Sequence, residues 1–380
     1  MQLRDIADYV SERISSDCVE LENYITTDCL LSDKQGRAIA TNLPPKKCAL
    51  IKFQKGDILV SNIRPYLKKI WYADCNGGAS TDVLVFRAKN EHLSTYLYSI
   101  LLQDSFYNWT MKGPKGSRMP RGDKNQIMHF PIVDIAETAY PVGKLIMDLN
   151  EKISINRQIN QNLEALARQL YDYWFVQFDF PNEEGKPYKS SGGKMVYNPI
   201  LKREIPEGWE YLTVNNITNV VTGKEDANFS TPDGKYPFFT CSREKLLCSK
   251  AAFNGKAILI AGNGDFNVKH YNGAFNAYQR TYVLIPEDEK YYGVLYLAAT
   301  DKIDTFKKGA NGSIVKFITK GDVENIGVLG CNNDDLYATI NNLILQIENN
   351  DIEIASLTKQ RDELLPLLMN GQVNFDLSAY

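Results

Sequence analysis

The sequence predicts an α+β chain built as an internal repeat: a mixed α/β domain followed by a long helix, written twice. Three observations carry that expectation. The halves share landmarks about 200 residues apart, two long stretches have heptad spacing, and short β-rich runs alternate with Gly, Asn and Asp turns. Such a period is too long for a solenoid unit and reads as a duplicated domain.

The landmarks keep their order. Gly56-Asp57-Ile58-Leu59-Val60 is answered by Gly255-Lys256-Ala257-Ile258-Leu259-Ile260, and Thr81-Asp82-Val83-Leu84-Val85 by Thr281-Tyr282-Val283-Leu284-Ile285. Gly116-Ser117 is answered by Gly312-Ser313, and Gly122-Asp123 with Ile127 by Gly321-Asp322 with Ile326. The openings Leu3-Arg4-Asp5-Ile6-Ala7 and Leu212-Thr213-Val214-Asn215-Asn216-Ile217 also match. Strands are expected at Ile58 to Ser61, Val83 to Arg87, Ala257 to Ala261 and Tyr282 to Pro286. One short helix is expected in each half, near Leu93 to Asp104 and Tyr291 to Thr300.

The first long helix carries a seam of Ile146, Leu149, Ile153, Asn156, Asn160, Leu163, Ala167, Leu170 and Trp174. Adding 194 to each number gives Ile340, Leu343, Ile347, Asn350, Ile354, Leu357, Arg361, Leu364 and Leu368. Alternating steps of three and four are the spacing of a coiled coil. Pro141 precedes the first helix. Asn333-Asp334-Asp335 caps the second, Asn370-Gly371 ends it, and Pro366 is expected to kink or fray its last turns. Asn156 and Asn350 are candidates to fix register, with a water-facing seam edge as the alternative. Pro181 to Gly208, rich in Gly, Ser, Lys and Pro, reads as an irregular linker. The expected divisions are residues 1–140, helix 141–180, linker 181–208, residues 209–332, helix 333–371 and tail 372–380.

Composition narrows the function classes. No apolar run is long enough to span a membrane. The opening Met1-Gln2-Leu3-Arg4-Asp5 has no apolar signal core, so a cytoplasmic location is expected. Seven scattered cysteines without a Cys-x-x-Cys pair, and only three histidines, argue against a zinc site. The net charge of −3 gives no global nucleic-acid footprint, so any such signal must be local.

No catalytic motif is complete. Ala261-Gly262-Asn263-Gly264-Asp265-Phe266 lacks the third glycine and following helix of a dinucleotide loop and reads as a Gly-rich hairpin. Tyr197-Asn198-Pro199-Ile200 is an incomplete amino-methyltransferase motif. Pro286-Glu287-Asp288-Glu289-Lys290 reads as a solvated loop, and His92, His129 and His270 have no recognisable catalytic partner. No nucleophile, metal cluster or phosphate loop is identified.

Positive charge gathers instead in two corresponding loops. Met111 to Lys124 holds Lys112, Lys115, Arg118, Arg121 and Lys124 with Ser117, and Phe306 to Lys316 holds Lys307, Lys308 and Lys316 with Asn311 and Ser313. Glycine lets the backbone approach a phosphate, while Lys, Arg and Ser supply donors. Further candidates are Arg64, Lys68 and Lys69 in the first half and Asn263, Lys269 and Arg280 in the second. Arg pairs with guanine and Asn with adenine in the major groove.

The whole chain resembles the specificity subunit of type I restriction–modification systems. The likeness runs from Ile153-Ser154-Ile155-Asn156-Arg157-Gln158 through Tyr173-Trp174-Phe175-Val176-Gln177-Phe178-Asp179-Phe180-Pro181, and on to Gly185-Lys186-Pro187-Tyr188 and Ile205-Pro206-Glu207-Gly208-Trp209. The resemblance implies two target recognition domains and two long antiparallel helices with pseudo-two-fold symmetry. Each domain would read half of an interrupted double-stranded DNA site. The helices would set the spacer and dock two methyltransferase (M) subunits. S-adenosylmethionine, ATP and Mg would belong to these and the restriction/motor (R) subunits, leaving this chain without a cofactor, metal or catalytic residue. One departure is that the first half has no equivalent of Pro206-Glu207-Gly208-Trp209. The rival readings are a nuclease or methyltransferase in its own right, and a coiled-coil adaptor that does not touch DNA.

Overall fold

The computed structural model describes residues 1–112, 119–133, 138–309 and 317–372, with the Lys308 side chain outside the description. Two compact units divide the chain, Met1–Arg157 with Glu353–Tyr380, and Gln158–Ile352. Helix α5 (Ala139–Tyr171) and helix α9 (Asp334–Met369) each contribute to both units.

Unit 1 opens with α1 (Leu3–Ile6), a single turn in which the Gln2 N–H donates to Asp5 at 2.7 Å. Unit 2 repeats the device at α6 (Val214–Ile217), where the Thr213 N–H donates to Asn216 at 2.8 Å. Leu3 thus corresponds to Val214, two residues later than the sequence match with Leu212. The central sheet of unit 1 runs β1 (Ala7–Tyr9), β8 (Val83–Ala88), β5 (Ile58–Ser61), β6 (Ile70–Tyr72), beside a second four-stranded sheet. In unit 2, β15 (Phe253–Ala261) lies between β16 (Val268–Ala277) and β17 (Thr281–Leu284) in a six-stranded sheet. The turn at 262–267 joins β15 to β16, as expected of a Gly-rich hairpin.

Pairing corrects the register of the repeat. Leu59 faces Val85 and Leu259 faces Val283, so β8 and β17 correspond with an offset of 198 rather than 200. Helix α4 (Lys124–Met128) is capped by Asp123, and α8 (Lys320–Glu324) by Thr319, an offset of 196. Ile127 therefore corresponds to buried Val323, and Phe130 to Ile326: Leu3 N–H donates to Phe130 O, and Val214 N–H to Ile326 O, each at 2.9 Å.

The single expected helix of the first half is two, α2 (Ser94–Leu102) and α3 (Asp104–Thr110), broken where Gln103 is extended. Its counterpart α7 (Tyr292–Gly309) is continuous. The 181–208 segment is also more ordered than its composition implies. β9 (Met195–Asn198) and β10 (Arg203–Pro206) form a hairpin. Phe180 stacks with Trp174 and Tyr188 at 4.7 Å and with Trp209 at 5.3 Å.

Pro141 lies within the first turn of α5, where a missing N–H costs nothing. Pro366 also lies inside its helix, four residues before Asn370, and α9 continues to Met369. Gly371 then takes φ +66° to end it. Ile146, Ile153, Ile340, Ile347 and Leu357 are buried, and Leu149, Leu163, Leu170, Leu343 and Leu364 are half-buried. The helices run antiparallel, since in unit 1 residues of rising number on α5 meet residues of falling number on α9. In unit 1, Arg361 donates to Asn150 and Asn156 donates to Glu353, each at 2.8 Å. In unit 2, Asn350 donates to Asn160 at 2.8 Å, and Asn160 donates to Asp351 at 2.8 Å and to Ile347 O at 3.3 Å. Asn156 and Asn350 thus join hydrogen-bonded layers inside the seam rather than facing water alone. Among the described residues, no helix is long and apolar enough to cross a membrane.

Candidate nucleic-acid interface

The same backbone frame stands at the end of the central sheet in both units. In unit 1 the chain leaves β5 at Asn62, whose N–H donates to Asp82 O at 2.9 Å and whose carbonyl accepts from Gly122 at 3.4 Å. In unit 2 the Gly262 N–H donates to Arg280 O at 2.9 Å, and its carbonyl accepts from Ile318 at 2.8 Å. Asp82 and Arg280 therefore occupy equivalent places, as do Arg121 and Phe317. In the sequence, each frame adjoins one of the two basic loops. Lys115, Ser117 and Arg118, and Asn311, Ser313, Lys316 and the Lys308 side chain, lie outside the described residues.

In unit 1, Arg121 pairs with Asp82 at 3.0 Å. Arg64 is held against the same segment by its N–H, which donates to Pro120 O at 2.9 Å. It takes φ +50°, and Lys68 φ +51°, on either side of the turn Pro65–Leu67. A left-handed backbone costs a non-glycine residue roughly 1–2 kcal/mol, so this turn, which exposes Tyr66, is held in shape by its surroundings. Among the described residues, Arg64 Nε and Asn62 Oδ1 are buried without a hydrogen-bond partner.

Not every candidate cation is free. Lys68 and Lys34 both bind Asp104, each at 2.9 Å. Burial raises the Asp104 pKa, but these two lysines more than offset it and hold the carboxyl below its ordinary 3.8. Lys69 donates to Thr27 O at 2.7 Å. Lys112 lies over the Trp109 ring at 4.7 Å.

In unit 2, Asn263, Gln279, Arg280, Tyr282 and Phe317 line one shallow concavity around Gly262. Gln279 is fixed by donating to Asp226 at 2.7 Å, and Tyr282 by donating to Ile318 O at 2.8 Å. A Cβ on Gly262 would lie 2.7 Å from Arg280 O, so the close approach of these segments requires glycine. Lys269 is a structural lysine, donating to Thr240 O at 2.8 Å and to Ser242 O, with burial pushing its pKa down to about 8. Lys307 lies 3.9 Å from Asp304 on its own helix.

Sequence reasoning singled out Arg64, Arg121, Asn263 and Arg280, which the two frames bring to equivalent ends of their sheets. It did not single out Asp82, Gln279, Tyr66 and Phe317, which the structure places beside them. Phe317 directly follows the basic loop, so an aromatic adjoining Lys316 was the available signal.

No family model matches the chain. It is 34% identical to the EcoDI specificity subunit of a type I restriction enzyme from Escherichia coli, over 45% of this chain and 40% of that protein. The MjaIX specificity subunit of Methanocaldococcus jannaschii is 24% identical over 90% of this chain and 83% of its own length. The HindI specificity subunit of Haemophilus influenzae is 23% identical over 98% of both. The chain thus spans less than half of the first of these relatives and most of the other two. The crystal structure of the type I restriction–modification S subunit from M. genitalium shares the fold, with TM-score 0.59 and 13% identity over 97% of this chain and 95% of that one. The curated relatives are type I restriction enzyme specificity subunits, the family that the motifs resemble.

Proposed function

We propose that this chain is the DNA sequence-recognition subunit of a type I restriction–modification complex and performs no catalysis itself. Residues 1–140 and 209–332 would each read one half of a bipartite, interrupted site. Helices 141–180 and 333–371 would set the spacer. The observation that carries this reading is the repeated frame: one backbone arrangement, presented twice, with different side chains at its four corresponding places, Asn62 and Gly262, Asp82 and Arg280, Arg121 and Phe317, and Gly122 and Ile318. That is the form expected of a reader whose two halves meet different sequences through the major groove.

The remaining parts follow chemically. Arg64, Lys112, Lys115, Ser117, Arg118 and Arg121 would contact DNA in one half, and Asn263, Arg280, Lys307, Lys308, Asn311, Ser313 and Lys316 in the other. Helix α5 exposes Ile155, Ile159 and Leu166 in one stripe away from the seam, which suits packing by a helix of an M subunit. S-adenosylmethionine, ATP and Mg would be held by the M and R subunits.

The test is to exchange residues 1–140 for those of a relative, reconstitute the complex with its M subunits and map the methylated sites. One half-site should change while the other half and the spacer stay. An unchanged site, or methylation or cleavage by the purified chain alone, overturns the proposal.

A further inference from the structure

We propose that Arg280 and Phe317 in unit 2, and their equivalents Asp82 and Arg121 in unit 1, are the specificity-determining pair of each half, and that the unit 2 pair reads a guanine beside a thymine. This rests on the chain being a DNA reader; the choice of residues rests on the frame alone. The Gly262 and Asn62 hydrogen bonds put one member of each pair on the strand-entry turn and the other on the segment leaving the basic loop. The pairs are therefore matched in place but opposite in chemistry.

In unit 2 the Arg280 guanidinium is exposed and has no ion-pair partner among the described residues. Its backbone is anchored at both ends, since its carbonyl accepts from Gly262 and the neighbouring Gln279 is tied to Asp226. A guanidinium carried on an anchored backbone, without an ion pair among the described residues, is suited to the O6 and N7 acceptors of guanine. Phe317 lines the same concavity and is 65% exposed. Water is a poor environment for that ring, and a thymine 5-methyl group is the apolar feature that the major groove offers. In unit 1 the same places hold a carboxylate and a guanidinium 3.0 Å apart. Arg121 there suits guanine, and Asp82 suits the cytosine amino group of the same pair. Asp82 would also be repelled by phosphate, which argues against a purely backbone-binding role.

The experiment uses the full chain with its M subunits and measures binding to the mapped site with single base analogues. Replacing the contacted thymine with deoxyuridine removes one methyl group. It should weaken the unaltered complex about fourfold, the effect of roughly 0.8 kcal/mol for one buried methyl, and have no effect on Phe317→Ala. Replacing the contacted guanine with 7-deazaguanine should cost about tenfold, with no further loss in Arg280→Ala. Asp82→Asn and Arg121→Ala should relax one position in the other half-site only. Unchanged thermal unfolding checks that these exposed substitutions leave the fold intact, and the untouched half-site serves as an internal control. Phe317→Ala or Arg280→Ala complexes that keep every base preference and lose affinity uniformly would overturn the inference. An unaltered complex with no base preference would instead overturn the DNA-reader proposal itself.

Discussion

In both units a glycine lets a helix of the domain approach the long helix closely, but the glycine sits on opposite partners. In unit 1, Gly143 on the long helix lets the backbone of Thr95 and Tyr96 approach; a Cβ there would lie 2.5 Å from Tyr96 N. In unit 2 the glycine has moved to the other partner, where a Cβ on Gly293 of α7 would lie 2.7 Å from Ile340 of the long helix. The reading frame shows the same exchange. Asn62 faces Gly122 in unit 1, whereas Gly262 faces Ile318 in unit 2. At one seam position the contrast is greater still: Arg361 is 2% exposed in unit 1, and its counterpart in unit 2 is the fully buried Ala167. Duplication preserved backbone hydrogen bonds and total fit, and left individual side chains free to trade volume across each contact.

The largest test of this contrast is Arg361→Ala. The guanidinium donates to Asn150 Oδ1 at 2.8 Å and pairs with Asp362 at 2.9 Å, so truncation leaves a void and removes the donor from Asn150 Oδ1, while Asn150 Nδ2 still donates to Ile146 O. A loss of roughly 2–5 kcal/mol is expected, the range for truncating a buried long side chain. Hydrogen exchange should localise the loss to unit 1, and uniform loss across both units would break the comparison. Next come Gly143→Ala and Gly293→Ala, each expected to cost about 1–3 kcal/mol by overpacking. Gly143→Ala should cost more, because backbone obstructs it, whereas Gly293 faces a movable Ile side chain. The reverse order in thermal unfolding would show that the helix, not the side chain, yields.

The seam was legible in the sequence because heptad spacing repeats over many residues, and a mistake of one position would expose every isoleucine. The domain registers were not. A shift of two residues keeps a strand on the same face, so alternation alone matched Thr81 to Thr281 and Asp82 to Tyr282, where the pairing sets Asp82 against Arg280. A shift of three in a short helix is nearly one turn, so Ile127 matched Ile326 as well as Val323. The β9–β10 hairpin was hidden for another reason: its strands have four residues each, and the positive φ in its turn falls on Lys202 rather than a glycine. Phe317 escaped because an exposed aromatic has no periodic signature.

The smallest expected effect concerns the acids of the seam, which should respond to pH with opposite signs. Glu353 in unit 1 accepts from Lys152 at 2.5 Å and from Asn156 at 2.8 Å, and these bonds, the lysine's first, hold its pKa below the ordinary 4.5. In unit 2, Asp351 accepts from Asn160, but burial pushes its pKa above 3.8, with Glu348 adding to the rise and His270 and Lys245 opposing it. A depressed carboxyl adds stability above its unfolded pKa and loses it as pH falls through the folded value. A raised one favours folding most below its unfolded pKa and loses that contribution as pH rises through the folded value. At pH 7, therefore, Glu353→Gln should increase local opening of α9 in unit 1, and Asp351→Asn should decrease it in unit 2. The Asp351 difference should vanish below about pH 4, where the carboxyl is protonated in the unfolded chain too. The Glu353 difference should persist until pH falls below its depressed folded value. Both groups reach solvent, which keeps the effects small. Hydrogen exchange of α9 amides on either side of residue 352, corrected for intrinsic rates, measures the two signs in one sample, and equal signs would mean that the polar layers are equivalent after all.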